Sequence, residues 1–70
     1  MKLKANDYTP SEILKFIRQS TDMTQKEFAK SINKSVHWCQ SNELGRTNYH
    51  FKDLLELANK HKIEIYIVKK

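Results

Sequence analysis

The side chains that could carry catalytic or metal chemistry in this 70-residue chain are three histidines and one cysteine. His37, His50 and His61 are scattered along the chain, and Cys39 has no second cysteine to share a zinc ion or a disulfide. No carboxylate pair has a plausible pocket, and a single glycine excludes a glycine-rich phosphate loop. We therefore expect no enzyme, no metal and no cofactor, with Cys39 as an inward-facing apolar filler.

The formal net charge is +5, and lysine greatly outnumbers arginine. A basic domain this small can bind nucleic acid, an anionic membrane surface or an acidic protein, and charge alone does not choose among them. No apolar run approaches the roughly 20 residues of a membrane span, and the N-terminus lacks the apolar stretch of a signal peptide. The lone cysteine is typical of a reducing compartment, so we expect a cytoplasmic protein that has no contact with a membrane.

Capping residues predict where the first two helices begin. Thr9 with Glu12, and Thr24 with Glu27, each have the spacing of a capping box. The first helix should run to about residue 19 or 20. The second should be closed by Asn33, which tolerates a left-handed backbone better than most residues.

Two further helices follow. Ser35 can cap a third helix that runs to about Glu43 and is stopped by Gly45. A fourth helix should begin near residue 49 or 50 and end at Lys60. Its apolar face is predicted to contain Phe51, Leu54, Leu55 and Ala58.

The segment from 63 to 68 is β-branched and aromatic and predicts one strand. The N-terminal "KLKA" is its only possible partner in the chain, and it is short and charged. An unpaired edge recruits another strand, so we expect antiparallel pairing with a second copy about a two-fold axis. The isoleucine face should cover the helices near Phe16 and Leu57. The alternative is an intramolecular sheet with residues 1–5, which leaves a monomer. The predicted dimer strand includes Ile63, Ile65, Tyr66 and Ile67.

Two segments carry a resemblance to a known family. In "TQKEFAKSINKS" a small Ala29 stands where a second helix would cross closely, and "NELGRTN" follows the next helix. Residues 8–67 resemble the lambda-repressor-like (Cro-type, xenobiotic-response) helix-turn-helix DNA-binding domains. "DYTPSEILKFIRQ" with the terminal "IEIYIV" is most similar to the HipB-type antitoxin regulators. The resemblance implies a mainly α, four-helix single domain over 1–70, with the helix-turn-helix at about 24–44 and a C-terminal dimerisation strand at about 63–68.

The resemblance also implies which residues read DNA bases from the third helix. Glutamine can bond an adenine edge, histidine can reach a guanine acceptor, and valine can touch a thymine methyl. Trp38 would either stack on the DNA backbone or pack against a neighbouring element. The implied base-reading residues are Val36, His37, Gln40 and Ser41.

A second set is implied to hold DNA phosphates, from the start of the second helix, the turn and the loop after the third helix. Arg18 and Glu43 match an ion pair that ties the first helix to the end of the third in relatives. The implied phosphate contacts are Gln25, Lys34, Ser35, Arg46, Thr47 and Asn48.

These expectations point to a homodimeric, sequence-specific transcriptional regulator, a repressor that binds a palindromic operator in double-stranded DNA. The alternative is an antitoxin or phage-type inhibitor that acts mainly by binding a toxin or another partner protein.

Overall fold

A computed structural model describes residues 2–69, and the chain over this range is mainly helical. Four α-helices lie between two short strands that pair with each other. The elements, in chain order, are β1 (Lys2–Lys4), a 3-10 turn (Ala5–Asp7), α1 (Pro10–Thr21), α2 (Gln25–Lys30), α3 (Val36–Glu43), α4 (Phe51–Lys60) and β2 (Glu64–Tyr66).

Both predicted capping boxes are present. The Thr9 hydroxyl accepts the Glu12 backbone N–H at 3.3 Å, and the Glu12 carboxylate accepts the Thr9 N–H at 2.8 Å. Thr24 and Glu27 make the same reciprocal pair at 3.1 and 3.0 Å. Each box satisfies donors that a helix start would otherwise leave unpaired. The helix starts are thus confirmed.

The connection between α2 and α3 is a tight turn. Asn33 has φ +60, the left-handed conformation expected of it. The Lys34 N–H then donates to the Ala29 carbonyl at 2.9 Å, and Ser35 caps α3 by accepting the Trp38 N–H at 3.1 Å. Fully buried Ala29 lets α2 pack closely against α3.

The core lies where the four helices meet, and Cys39 is fully buried in it as expected. The predicted face of α4 is partly wrong. Leu57 is fully buried, whereas Phe51 is 63% exposed and Leu55 52% exposed. The buried face of α4 is formed by Asp53, Leu54, Leu57 and Ala58, so Leu54 and Ala58 are inside as predicted, whereas Leu55 lies outside this face. The Asp53 carboxylate is buried because it accepts the His50 backbone N–H at 3.2 Å. The largest fully buried side chains are Phe28, Leu14, Ile17, Leu57 and Cys39.

The C-terminal strand has its partner within the chain, which corrects the expected antiparallel pairing with a second copy. β2 pairs in parallel with β1, with Leu3 opposite Ile65. The Asn6 side chain extends this edge, because its amide donates to the Val68 carbonyl at 2.9 Å and accepts the Val68 N–H at 2.8 Å.

The strand is also shorter than predicted, and its isoleucine face is only partly right. Ile63 is buried and Ile65 half-buried, but Ile67 is 73% exposed and lies beyond β2. Phe16 is not covered by the strand; it is 37% exposed and stacks on Tyr8 with ring centroids 6.2 Å apart. Among the described helices, none is long and apolar enough to cross a membrane.

Candidate nucleic-acid interface

An ion pair fixes the end of α3 to α1, as the sequence predicted. Arg18 Nε lies 2.7 Å from Glu43 Oε2, and Arg18 Nη2 donates to Glu43 Oε1 at 3.0 Å. The two side chains are 19% and 5% exposed. Arg18 Nη1 also donates to the Met23 carbonyl at 3.3 Å, so one guanidinium braces three segments.

Glu43 collects two further donors. The Cys39 thiol donates to Oε2 at 3.0 Å, and the Gln25 side-chain amide donates to Oε1 at 3.3 Å. Burial alone would raise the pKa of Glu43, but the hydrogen bonds from Arg18, Cys39 and Gln25 hold it below its usual value. Burial and the neighbouring carboxylate raise the pKa of Cys39 to about 12, so the thiol is protonated and unreactive.

The exposed face of α3 carries three of the four predicted base-reading residues. Val36 is 38% exposed, and His37 and Gln40 are exposed. The prediction that Ser41 faces outward is wrong, because its side chain is 8% exposed. Ser41 Oγ lies 3.4 Å from His37 Nε2, one helical turn away, so it can orient the histidine ring.

Two clefts flank α3. The first, here called the Gln25 cleft, has a volume of about 400 Å³ and lies between α3, α1 and the start of α2. Its charged residues are three cations and one anion, and the anion is already paired with Arg18. Its lining residues are Lys15, Arg18, Gln25, His37, Gln40, Ser41, Glu43, Leu44 and Arg46.

The second, here called the Trp38 cleft, has a volume of about 420 Å³ and lies between α3, the turn before it and the loop after it. Its only acid is Asp53, whose Oδ1 lies 3.8 Å from Lys34 Nζ. The residues that line this cleft are Lys34, Ser35, His37, Trp38, Ser41, Asn42, Thr47, Asn48, Tyr49, His50 and Asp53.

All six predicted phosphate contacts line these two clefts. Gln25 and Arg46 belong to the Gln25 cleft, and the other four belong to the Trp38 cleft. His37 and Ser41 line both, which places them on the ridge between the clefts. The sequence analysis missed Lys15 in the Gln25 cleft. Its position one turn before Arg18 on α1 is the signal that could have found it.

The loop after α3 is held by aromatic contacts. The Tyr49 hydroxyl donates to the Pro10 carbonyl at 2.6 Å, and burial raises the pKa of Tyr49 to about 12. Trp38 is half-buried against Tyr49, with ring centroids 6.5 Å apart, and Lys34 Nζ lies 5.7 Å above its ring. Of the two roles considered for Trp38, packing is therefore the one observed.

Lys34, one of the predicted phosphate contacts, also makes contacts inside the protein. Its ammonium lies near both Asp53 and Trp38, and the side chain is 34% exposed. Its charge is therefore partly neutralised within the fold, whereas Arg46 is exposed and makes the stronger cationic edge.

Within residues 2–69, no three His, Cys, Asp or Glu side chains lie together as a metal site would require. Comparison of the chain with protein-family models, with curated proteins and with solved structures finds no match in any of the three. The geometry around α3 is therefore the basis on which a function can be proposed.

Proposed function

We propose that this protein is a sequence-specific DNA-binding regulator of the helix-turn-helix type, acting as a homodimeric repressor and not as an enzyme. In this proposal α2 and α3 form the helix-turn-helix, and α3 enters the major groove.

One observation carries the proposal: α3 is a ridge with a cleft on each side, and every residue implied to hold phosphate lines one of those clefts. A helix that enters the major groove, about 12 Å wide, lies between two sugar-phosphate backbones. A ridge flanked by two polar, cation-bearing clefts has the shape and charge that such a position requires.

On the ridge, three exposed residues supply base-reading chemistry. Gln40 can donate to and accept from an adenine edge, and His37 can donate to a guanine acceptor. Val36 offers an apolar contact for a thymine methyl. Ser41 is 8% exposed, and its hydroxyl lies 3.4 Å from His37 Nε2, so its proposed role is to orient the His37 ring.

In the clefts, the donors for phosphate are of two kinds. Arg46 and Lys15 contribute full positive charge, while Thr47 and Asn48 contribute neutral donors from the loop. Gln25 stands at the start of α2, and one of its amide hydrogens is already given to Glu43. The other amide hydrogen remains for a phosphate oxygen, and Glu43 limits the directions in which it can point.

The test is the salt dependence of binding to duplex DNA. The logarithm of the binding constant should fall linearly with the logarithm of salt concentration, with a slope near 0.9 per phosphate contacted. Arg46→Ala should weaken binding to every duplex alike and make this slope shallower by about one. Lys30→Ala, which removes an exposed cation outside both clefts, is the matched control and should leave the slope nearly unchanged.

Fluorescence anisotropy of labelled random duplexes measures both the binding constant and its dependence on salt concentration. Equal effects of Arg46→Ala and Lys30→Ala would mean that the clefts do not hold the backbone. Failure of the unaltered chain to bind any duplex at low salt would contradict the proposal and favour the alternative of a protein partner.

A further inference from the structure

Helix α4 presents two large apolar side chains to solvent. Phe51 is 63% exposed and Leu55 is 52% exposed, and a spacing of four residues puts them on one face. Neither belongs to the hydrophobic core or to the clefts beside α3. Adjacent exposed apolar residues of this size on a small domain mark an interaction surface.

An apolar groove of about 330 Å³ lies beside them. Phe51 forms part of its wall, and the groove extends from the N-terminal turn to the first turn of α4. The exposed Phe51 side chain and the open groove therefore lie next to each other on the surface. The remaining wall includes Tyr8, Pro10, Ile13, Tyr49 and Leu54.

We propose that a second copy of this chain docks on this patch, with Phe51 of each copy in the groove of the other. This deepens the proposed function by naming the dimer surface. A two-fold contact uses the same patch on both subunits, so it needs a knob and a hole side by side. The α4 patch, defined as Phe51, Leu55 and the groove, has both.

Charges next to the patch favour this occupant. Lys52 and Glu56 are exposed, follow Phe51 and Leu55 in sequence, and are four residues apart on α4. When two copies of α4 cross antiparallel about a two-fold axis, Lys52 of one copy faces Glu56 of the second copy, twice. These paired charges offset part of the repulsion between two chains that each carry a net charge of +5.

Further exposed aromatic residues next to the patch can add to the area that a dimer contact would bury. A standard interface buries about 800 Å² per partner, roughly one sixth of the 5039 Å² surface of this chain. Tyr8 forms part of the groove and stacks on Phe16, and the two are 41% and 37% exposed. The groove thus links Phe51 to the exposed aromatic pair of Tyr8 and Phe16.

The position of the patch suits a DNA-binding dimer. Asn48 and Tyr49 line both the groove and the Trp38 cleft, so the α4 patch borders the face proposed to meet DNA. A two-fold axis through the patch would relate the two α3 ridges to each other. This is compatible with two half-sites one helical turn, about 34 Å, apart.

Sedimentation equilibrium of the full-length chain without DNA tests this inference. The unaltered protein should have about twice the 8.3 kDa monomer mass. Leu55→Glu, which puts an unpaired charge into the contact, should raise the dimer dissociation constant by roughly 100-fold or more. Ile67→Glu, at a 73% exposed apolar position outside the patch, is the matched control and should leave the mass unchanged.

A charge reversal gives a second measurement that does not depend on the packing of Leu55. Lys52→Glu alone should weaken the dimer, and Lys52→Glu combined with Glu56→Lys should restore it. Circular dichroism shows that each variant remains folded.

An unaltered chain that stays monomeric at several hundred micromolar leaves the patch to another partner and overturns the inference. So does a dissociation constant that Leu55→Glu changes by less than twofold, or a dimer lost through Ile67→Glu instead. Because no DNA is present, these outcomes are separate from the proposed function. A dimer that binds no DNA keeps the α4 patch and refutes DNA binding. A monomer that binds DNA keeps DNA binding and refutes both the α4 patch and the homodimeric form of the regulator.

Discussion

At the scale of single residues, Glu43 is the side chain with the most consequences. Its two carboxylate oxygens accept from Arg18, Cys39 and Gln25, which come from α1, α3 and α2. A buried carboxylate is stable only when such donors surround it. Three helices therefore depend on one charge, and that charge also orients the amide proposed to hold phosphate.

Arg18→Met should therefore destabilise the fold by about 3–5 kcal/mol, because it leaves the Glu43 charge buried without its cation. Arg18→Met combined with Glu43→Leu should recover part of the loss, since the unpaired charge is removed with its partner. Recovery should be incomplete, because Cys39 and Gln25 then lose their acceptor.

Urea titration followed by circular dichroism measures both variants. A loss below about 1 kcal/mol for Arg18→Met would show that the pair behaves like an exposed one. A double variant less stable than Arg18→Met would show that packing, and not the charge, dominates at this site.

The family resemblance implied the ion pair, which the structure contains, but it misplaced Ser41. Small hydroxyl side chains are compatible with either face of a helix, so composition does not fix their direction. Ser41 follows the exposed Gln40 and precedes the buried Asn42, and only the crossing of α3 over its neighbours decides that it turns inward. Burial at the margin of a helix face is a tertiary property.

At the scale of elements, the predictions that depend on neighbouring residues are confirmed, whereas the predicted pairing of the C-terminal strand is wrong. Both capping boxes and the left-handed Asn33 depend on residues within a few positions of each other. The β1–β2 pairing joins the two ends of the chain through three residues each. A three-residue segment with two lysines is too short to show the alternation of apolar and polar residues that predicts a strand.

We expect the contact between His61, at the end of α4, and Phe28 to depend on pH. His61 follows α4 and stacks on Phe28 of α2, with ring centroids 5.6 Å apart, and its Nε2 is buried without a hydrogen-bond partner. Burial, and then the nearby Lys60, lower the pKa of His61 below its usual 6.5. The folded chain therefore binds fewer protons than the unfolded chain between that lowered pKa and about pH 6.5.

Stability should accordingly be full above about pH 6.5 and should fall as the pH drops through the window between 6.5 and the folded pKa of His61. His61→Phe keeps an aromatic ring on Phe28 and removes the titration, so its Tm should stay flat across this window. His37→Asn removes an exposed ring and should leave the decline in place. A decline of equal size in His61→Phe and in the unaltered chain would assign the acid sensitivity to other groups.

At the scale of the whole molecule, the two surface regions to which a function is proposed meet at the loop after α3. The α3 ridge and its two clefts carry cations and hydrogen-bond donors, and the α4 patch carries the exposed apolar side chains of Phe51 and Leu55. Tyr49 lies between the two regions: its hydroxyl donates a hydrogen bond to the Pro10 carbonyl, and its ring packs near Trp38. The proposed dimer through the α4 patch would therefore fix the spacing between the two α3 ridges.

The dimer was expected from the sequence for a reason that does not hold. A strand without a visible partner predicted pairing between copies, and the structure supplies that partner from the N-terminus. The α4 patch could not be predicted from the sequence, because Phe51 and Leu55 have the same helical spacing as the core residues Leu54 and Ala58. Periodicity identifies an apolar side chain on a helix, but it does not say whether the same chain or another covers it.

Selection of bound sequences from random duplex DNA, done with the unaltered chain and with Gln40→Ala, tests the central claim most directly. The unaltered chain should return an inverted repeat whose half-sites are centred about 10 base pairs apart. Gln40→Ala should lose the preference at one position in each half-site, with specific affinity lower by about 1–3 kcal/mol. A pool without any enriched sequence, or an identical motif and affinity for Gln40→Ala, would contradict the claim that α3 reads DNA.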